Sequence, residues 1–219
     1  LREKPLHASL KKWCAQDGDR FEAKVDRYVI DLVRDNMLIE IQTRGFSSMR
    51  KKVRRLLELG YRVRIVHPIP VTKTIIRLGG DGEILGKRRS PKHGSALDIF
   101  AELVSFPDLI AHPNLEIQVV LTVEDEYRMH EDGKAWRRRG WVVRERRLTG
   151  IENVVGISCP ADLLGLLPEG LPERLTTADI AAASGCTRRL AQQAAYCLRH
   201  AGVITQAGKA GRAVEYRLA

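Results

Sequence analysis

At 219 residues, the chain is long enough for one sizeable hydrophobic core and a small second domain. It is 44% hydrophobic and 29% charged, a globular composition, and no apolar run approaches the roughly 20 residues a bilayer span needs. A net charge of +10 favours a polyanionic partner, nucleic acid before membrane.

In chain order, Leu6, Leu10, Trp13 and Cys14 follow helical spacing and predict an amphipathic first helix, with Pro5 tolerated in its first turn. Phe21 to Asp26 reads as a short strand. Tyr28–Arg34 and Met37–Arg44 read as a hairpin turning at Asp35-Asn36. Phe46 to Leu59 reads as a helix ended by Gly60, with Met49, Val53, Leu56 and Leu57 as its apolar stripe. Tyr61–His67 alternates as a strand closed by Pro68 and Pro70, and Lys73–Leu78 reads as another strand. Residues 79–95 read as a glycine-rich basic loop, 96–104 as a helix and 115–123 as a buried strand. The 134–147 stretch, with Trp136 and Trp141, is expected to be a hairpin turning at Gly140.

Gly156 to Pro160 reads as a seam. Beyond it, residues 161–167 predict a short helix. Thr177 caps a helix through Ala183, and Ser184-Gly185-Cys186 makes a tight turn. Thr187 caps a second helix through His200, whose buried stripe is Leu190, Ala194, Cys197 and Leu198. Strands at Val203–Thr205 and Ala213–Leu218 flank a wing over 206–212. This order is that of a winged helix-turn-helix. Arg188, Arg189, Gln192 and Gln193 on its second helix, with Lys209 and Arg212 in the wing, are the residue types that read base edges or grip phosphate.

The charge is uneven. Residues 44–64 carry eight basic residues (Arg44, Arg50, Lys51, Lys52, Arg54, Arg55, Arg62, Arg64) against Glu58. Residues 134–147 carry seven (Lys134, Arg137, Arg138, Arg139, Arg144, Arg146, Arg147) against Glu145. Arg44, Arg50, Lys51, Lys52, Arg54 and Arg55 are the expected phosphate contacts of the first stretch. Cys14, Cys159, Cys186 and Cys197 show no CxxC spacing, and no signal peptide is read at the start. The expectation is free thiols in a reducing cytoplasm. The six histidines lack zinc-site spacing, and neither a GxSxG frame nor a Walker loop is present.

The hairpin carries the chemistry. With Asp35-Asn36 as the turn, Arg34 pairs with Met37 and Asp31 falls opposite Glu40. Facing carboxylates repel, and apolar surroundings desolvate them; a divalent cation removes both penalties. Gln42, two residues past Glu40, falls on the same strand face.

The Asp31…Glu40-Ile41-Gln42 constellation resembles the PD-(D/E)XK nuclease superfamily over residues 3–67, whose core runs helix, three strands, helix, strand. The resemblance implies an α/β (α+β) fold, a restriction-endonuclease-like mixed sheet flanked by helices. Residues 1–157 would form this domain (core 3–78, extension 79–157), and 158–219 a small winged-helix domain. It implies Mg²⁺, with Mn²⁺ as a substitute, held by Asp31, Glu40 and the Ile41 carbonyl. Gln42 stands where most members have lysine, and Ile30 precedes Asp31 where they have proline. Glu3 would match the acid many members add from the first helix, with Glu22 as its fallback. A missing cation would come from Lys51, Lys52 or Lys73. The implied activity is hydrolysis of DNA, with RNA and a homodimer left open. The competing reading is a DNA-binding regulator or adaptor on an inactive nuclease fold.

Overall fold

The computed structural model describes residues 3–219, so the first two residues of the expected N-terminal domain lie outside it. Helix α1 (Pro5–Cys14) is followed by strands β1 (Arg20–Val25), β2 (Tyr28–Arg34) and β3 (Met37–Ile41). A 3-10 turn over Phe46–Met49 leads into α2 (Arg50–Glu58), then β4 (Arg62–Leu78) and β5 (Ile84–Arg89). A further 3-10 turn precedes α3 (Phe100–Leu103), and the long strands β6 (Leu115–His130) and β7 (Trp141–Ile157) complete this part. Seven strands form one mixed sheet in the order β1-β2-β3-β4-β6-β7, with β5 added to the far end of β4. β3 and β6 run parallel to β4 on its two sides, and every other pairing in this sheet is antiparallel.

Helices cover both faces of the sheet. Leu6 and Leu10 of α1 pack with Leu32, Met37, Ile39, Ile41, Val66 and Val120. Val53, Leu56 and Leu57 of α2 pack on the other face with Leu38, Val63 and Ile65. Truncating a fully buried leucine such as Leu56 to alanine would cost about 2–5 kcal/mol. Trp13, expected on the apolar stripe of α1, is 42% exposed.

β4 overturns the expectation that Pro68 and Pro70 end a strand. The Val66 carbonyl accepts from Gln42 N, so alternate backbone groups from Val66 onward face the β3 edge. β3 pairing stops at Val66 and β5 pairing starts at Thr74. Both prolines therefore sit where that edge is open, and their missing N–H groups leave no strand partner unsatisfied. Beyond them β4, β5, β6 and β7 run on as a four-stranded arm. The expected basic loop at 79–95 contains β5. Gly140 ends the β6–β7 connection rather than turning a hairpin, and that connection carries a short 3-10 turn at Trp136–Arg138.

The C-terminal elements are a 3-10 segment (Pro160–Leu166), α4 (Thr177–Ser184), α5 (Arg188–His200) and the antiparallel strands β8 (Ile204–Ala210) and β9 (Ala213–Leu218). Thr176, not Thr177, caps α4, in a capping box with Asp179. Gly185 turns at φ 61°, and the Thr187 side chain caps α5. Ala194, Cys197 and Leu198 are buried as expected, and Leu190 is half-buried. These residues join the same apolar cluster as Phe100, Leu103 and Ile65, and Cys197 Sγ lies 3.8 Å from the Phe100 carbonyl oxygen. Apolar residues of 158–219 and of the larger sheet thus belong to one continuous cluster.

Candidate functional site

The β2–β3 register is Arg34↔Met37, Val33↔Leu38 and Leu32↔Ile39, with Asp35 in the turn at φ 49°. The ladder ends at Leu32↔Ile39, and Asp31 and Glu40 are the next residues on their strands. On the other side, Phe21↔Leu32 and Ala23↔Ile30 set Glu22 opposite Asp31, at a φ of 47° that interrupts the ladder. Glu22, Asp31 and Glu40 therefore lie on neighbouring strands where the ladders are interrupted or end.

Asp31 Oδ2 accepts a 2.8 Å hydrogen bond from Ile41 N and lies 3.2 Å from His7 Nε2 of α1. Burial would push the Asp31 carboxyl up, but the His7 ring and the Ile41 N–H more than offset this and hold it below the usual range. The same contact with Asp31 raises His7. Glu40 behaves oppositely. Burial pushes its carboxyl up to about 7, although Lys52 beside it works the other way. Lys52 Nζ, reaching over from α2, stands 2.6 Å from Glu40 Oε1 and donates a 2.6 Å hydrogen bond to the Val29 carbonyl. Glu40 Oε1 is buried with this charge beside it but meets no well-aligned donor. Two adjacent carboxyls with opposite shifts, one charged and one readily protonated, make a polar pair that can accept a cation or exchange a proton near neutrality.

Gln42 lies one residue past the end of β3, because the strand stops at Ile41 and not at Arg44. Its amide nitrogen donates to the Gly45 carbonyl at 2.8 Å and to Ser48 Oγ at 3.3 Å, and its backbone carbonyl lies 2.6 Å from His67 Nδ1. The side-chain amino group thus holds the turn into α2, and only Oε1 remains to meet a water. Glu3 precedes α1 rather than lying on it. Its carboxylate is 2.6 Å from both His7 Nδ1 and Lys11 Nζ, so it reaches Asp31 through His7. Glu22 pairs with Lys11 at 2.9 Å and is largely exposed.

The basic helix is less available than its sequence implies. Arg50 and Arg54 both bind Asp108, Arg55 lies 3.4 Å from Asp26, and Lys52 is taken by Glu40. Arg62 and Arg64 share Glu116. Arg44 and Lys51 are exposed and have no carboxylate partner among the described residues. In the C-terminal part Arg188, Arg189, Gln192, Lys209 and Arg212 are exposed, and Gln193 is half-buried.

Three participants escaped the sequence reading. His7 carried a signal, lying one turn before Lys11 on the helix that faces the hairpin, but a lone histidine has no spacing to mark it. Glu124 is wholly buried; Thr122 Oγ1 donates to its Oε1 at 2.8 Å, and Arg146 approaches its Oε2 at 3.7 Å. Arg146 also donates to the Thr43 carbonyl at 3.0 Å, tying β7 to the segment after Gln42. His67, buried, is pushed below its usual range by desolvation.

Among the described residues no group of three or more His, Cys, Asp or Glu side chains is arranged to hold a metal, and no helix is long and apolar enough to cross a membrane. No solved structure matches the chain. An uncharacterized protein of Treponema pallidum (strain Nichols) is 28% identical over 218 residues, covering 99% of this chain and 85% of that protein. The family described as "Domain of unknown function (DUF8091)" matches residues 4–158. That match takes in the whole sheet and stops where β7 leads into the C-terminal helices; by it the chain belongs to the DUF8091 family.

Proposed function

We propose that the chain is a Mg²⁺-dependent endonuclease hydrolysing phosphodiester bonds in DNA. The observation that supports this reading is a cluster where the β2–β3 pairing ends: the Asp31 carboxylate held by His7 and the Ile41 N–H, and the buried Glu40 carboxyl, near enough to feel its charge, with Lys52 against it. The order helix, three strands, helix, strand through residue 67 agrees with the nuclease resemblance.

The donor set fits a hard cation, which accepts one or two carboxylates and fills its remaining positions with water. Asp31, Glu40 and the Ile41 carbonyl would hold Mg²⁺, or Mn²⁺ in its place; a buried Glu40 oxygen without a well-aligned donor is the feature such an ion would use. When bound, the ion neutralises phosphate charge and lowers the pKa of a water. Lys52 supplies the cation that Gln42 lacks, and Gln42 Oε1 accepts from the attacking water. His7 holds Asp31 ionised and steadies it from α1. The helix-turn-helix and hairpin of residues 158–219 support a winged-helix contact to DNA through Arg188, Arg189, Gln192, Lys209 and Arg212. Four free cysteines agree with a reducing compartment.

The test is metal-dependent nicking of a supercoiled plasmid. Asp31→Ala and Glu40→Ala are each expected to abolish it while leaving DNA binding in place. Nicking that persists in both variants overturns the reading.

A second reading is a DNA-binding regulator or adaptor on an inactive nuclease fold. It is favoured by the same contacts seen from the other side: His7 and Lys52 already satisfy the two carboxylates from within the protein. It expects salt-sensitive DNA binding and no nicking with Mg²⁺ or Mn²⁺ at any pH.

A further inference from the structure

On the arm, away from the carboxylate pair, a cavity of about 600 Å³ is lined by eight cationic side chains and one carboxylate. It is lined by Lys73 and Arg77 of β4, Arg128 of β6, Arg88, Lys92 and the run Arg137-Arg138-Arg139, and Glu126 there pairs with both Lys73 (3.2 Å) and Arg128 (2.5 Å). Among the described residues none of these three arginines meets a carboxylate, unlike the cations of α2. Gathering like charges in one concavity costs free energy through mutual repulsion, and a bound polyanion removes that cost.

The loop that presents the three arginines is held in a defined and strained shape. Ala135 and Arg139 both take left-handed φ values, 48° and 51°, which are uncommon for residues other than glycine. Glu131 pins the loop from both sides, pairing with Lys134 at 2.6 Å and Arg144 at 3.2 Å. Gly140 at its end takes a φ of 83°, which favours glycine, and a Cβ there would also displace the His130 ring. At the tip Trp136 is 79% exposed, with the Arg137 guanidinium 5.1 Å from its ring centre. A large aromatic face left in solvent beside a basic groove is the arrangement on which unpaired bases stack while the backbone is gripped by cations.

We infer that the arm is a binding site for a single-stranded or locally unpaired nucleic-acid strand, with its phosphates in the Lys73–Arg128–Arg138 cavity and a base on Trp136. The inference rests on the nucleic-acid reading above and deepens it, by giving the substrate a path, but it requires no cleavage.

The test uses the full chain in EDTA, with a short labelled oligothymidylate read by fluorescence anisotropy across a salt series. Replacing Arg137, Arg138 and Arg139 together by serine should weaken binding on the order of tenfold or more and flatten the salt dependence by roughly two units of slope. Trp136→Ala should weaken the single strand about fivefold or more and leave a blunt duplex unchanged. Arg138→Glu, at an exposed position, repeats the charge test should the triple variant fail to fold. Wild-type binding in these variants overturns the inference, as does protection of Trp136 by phosphatidylserine vesicles and not by the oligonucleotide. Asp31→Ala separates the two proposals: it should bind the oligonucleotide as the wild type does, whether or not any form of the protein cuts DNA.

Discussion

In residues 44–64 six of the eight cations have found an acid. Asp108 takes Arg50 and Arg54, Asp26 takes Arg55, Glu40 takes Lys52, and Glu116 takes Arg62 and Arg64. In residues 134–147 the flanking cations are paired, but Arg137, Arg138 and Arg139 meet no carboxylate and border a cavity lined almost wholly by cations. The two stretches are both strongly basic as sequence and differ as surface. A run of arginines becomes a field only if the fold brings it no acids. The acids that quench α2 come from the β1–β2 turn, β3 and the segment after α3, and the acid that takes Arg62 and Arg64 of β4 comes from β6; none is adjacent in the chain to the cations it pairs.

The largest expected effect that separates the two stretches is one of pH. The guanidiniums of the arm stay charged throughout the accessible range, whereas the Lys52–Glu40 pair contains a carboxyl pushed up to about 7. Glu40 stays protonated in the fold up to that pH and ionises at its ordinary lower value when unfolded. The unfolded chain therefore binds fewer protons between the two values. Glu40's contribution to stability falls as pH rises through that window and levels off above about 7. A bound cation requires the ionised form. Apparent Mn²⁺ affinity, followed as the thermal shift on adding the ion, should rise about tenfold from about pH 6 to about pH 8. Oligonucleotide binding to the arm in EDTA should barely change over the same range. A thermal shift that is flat with pH, or an arm affinity that follows the metal, would merge what the two stretches are argued to keep apart.

The local elements of this fold were legible where a single segment carries its own reason. The Asp35-Asn36 turn set the hairpin register from Arg34↔Met37 to Leu32↔Ile39. Gly185 and Thr187 fixed the turn between α4 and α5. The errors arose where a distant partner decides. Pro68 and Pro70 looked like strand ends because sequence does not show that β3 stops and β5 has not begun at that edge. Gln42 is the exception, misread through local partners: β3 stops at Ile41, and the Gly45 carbonyl and Ser48 hydroxyl just after it in the chain claim its amide. His7 was invisible as a site residue because only the docking of α1 sets its ring against Asp31. Lys52 was one of three lysines with equal claim until the pitch of α2 aimed it at Glu40.

A smaller effect tests whether α2 is quenched by its partners or unsuited to bind in its own right. Asp108 is the acid with the most leverage, since it holds Arg50 and Arg54 together on the surface. All three side chains are close to half exposed, so the bridges themselves contribute little, within about 1 kcal/mol. Asp108→Asn keeps the size and hydrogen-bonding shape while removing the charge. If quenching is the reason, this substitution frees two guanidiniums beside exposed Lys51. Duplex DNA affinity should then rise a few-fold at low salt, with a steeper salt dependence by roughly one to two units. Arg50→Ala with Arg54→Ala in the otherwise native chain should change affinity less than about threefold, because those charges are already spent. If that double variant instead loses as much binding as the arm's triple variant, Asp108 is not masking the helix, and the two basic stretches are one surface.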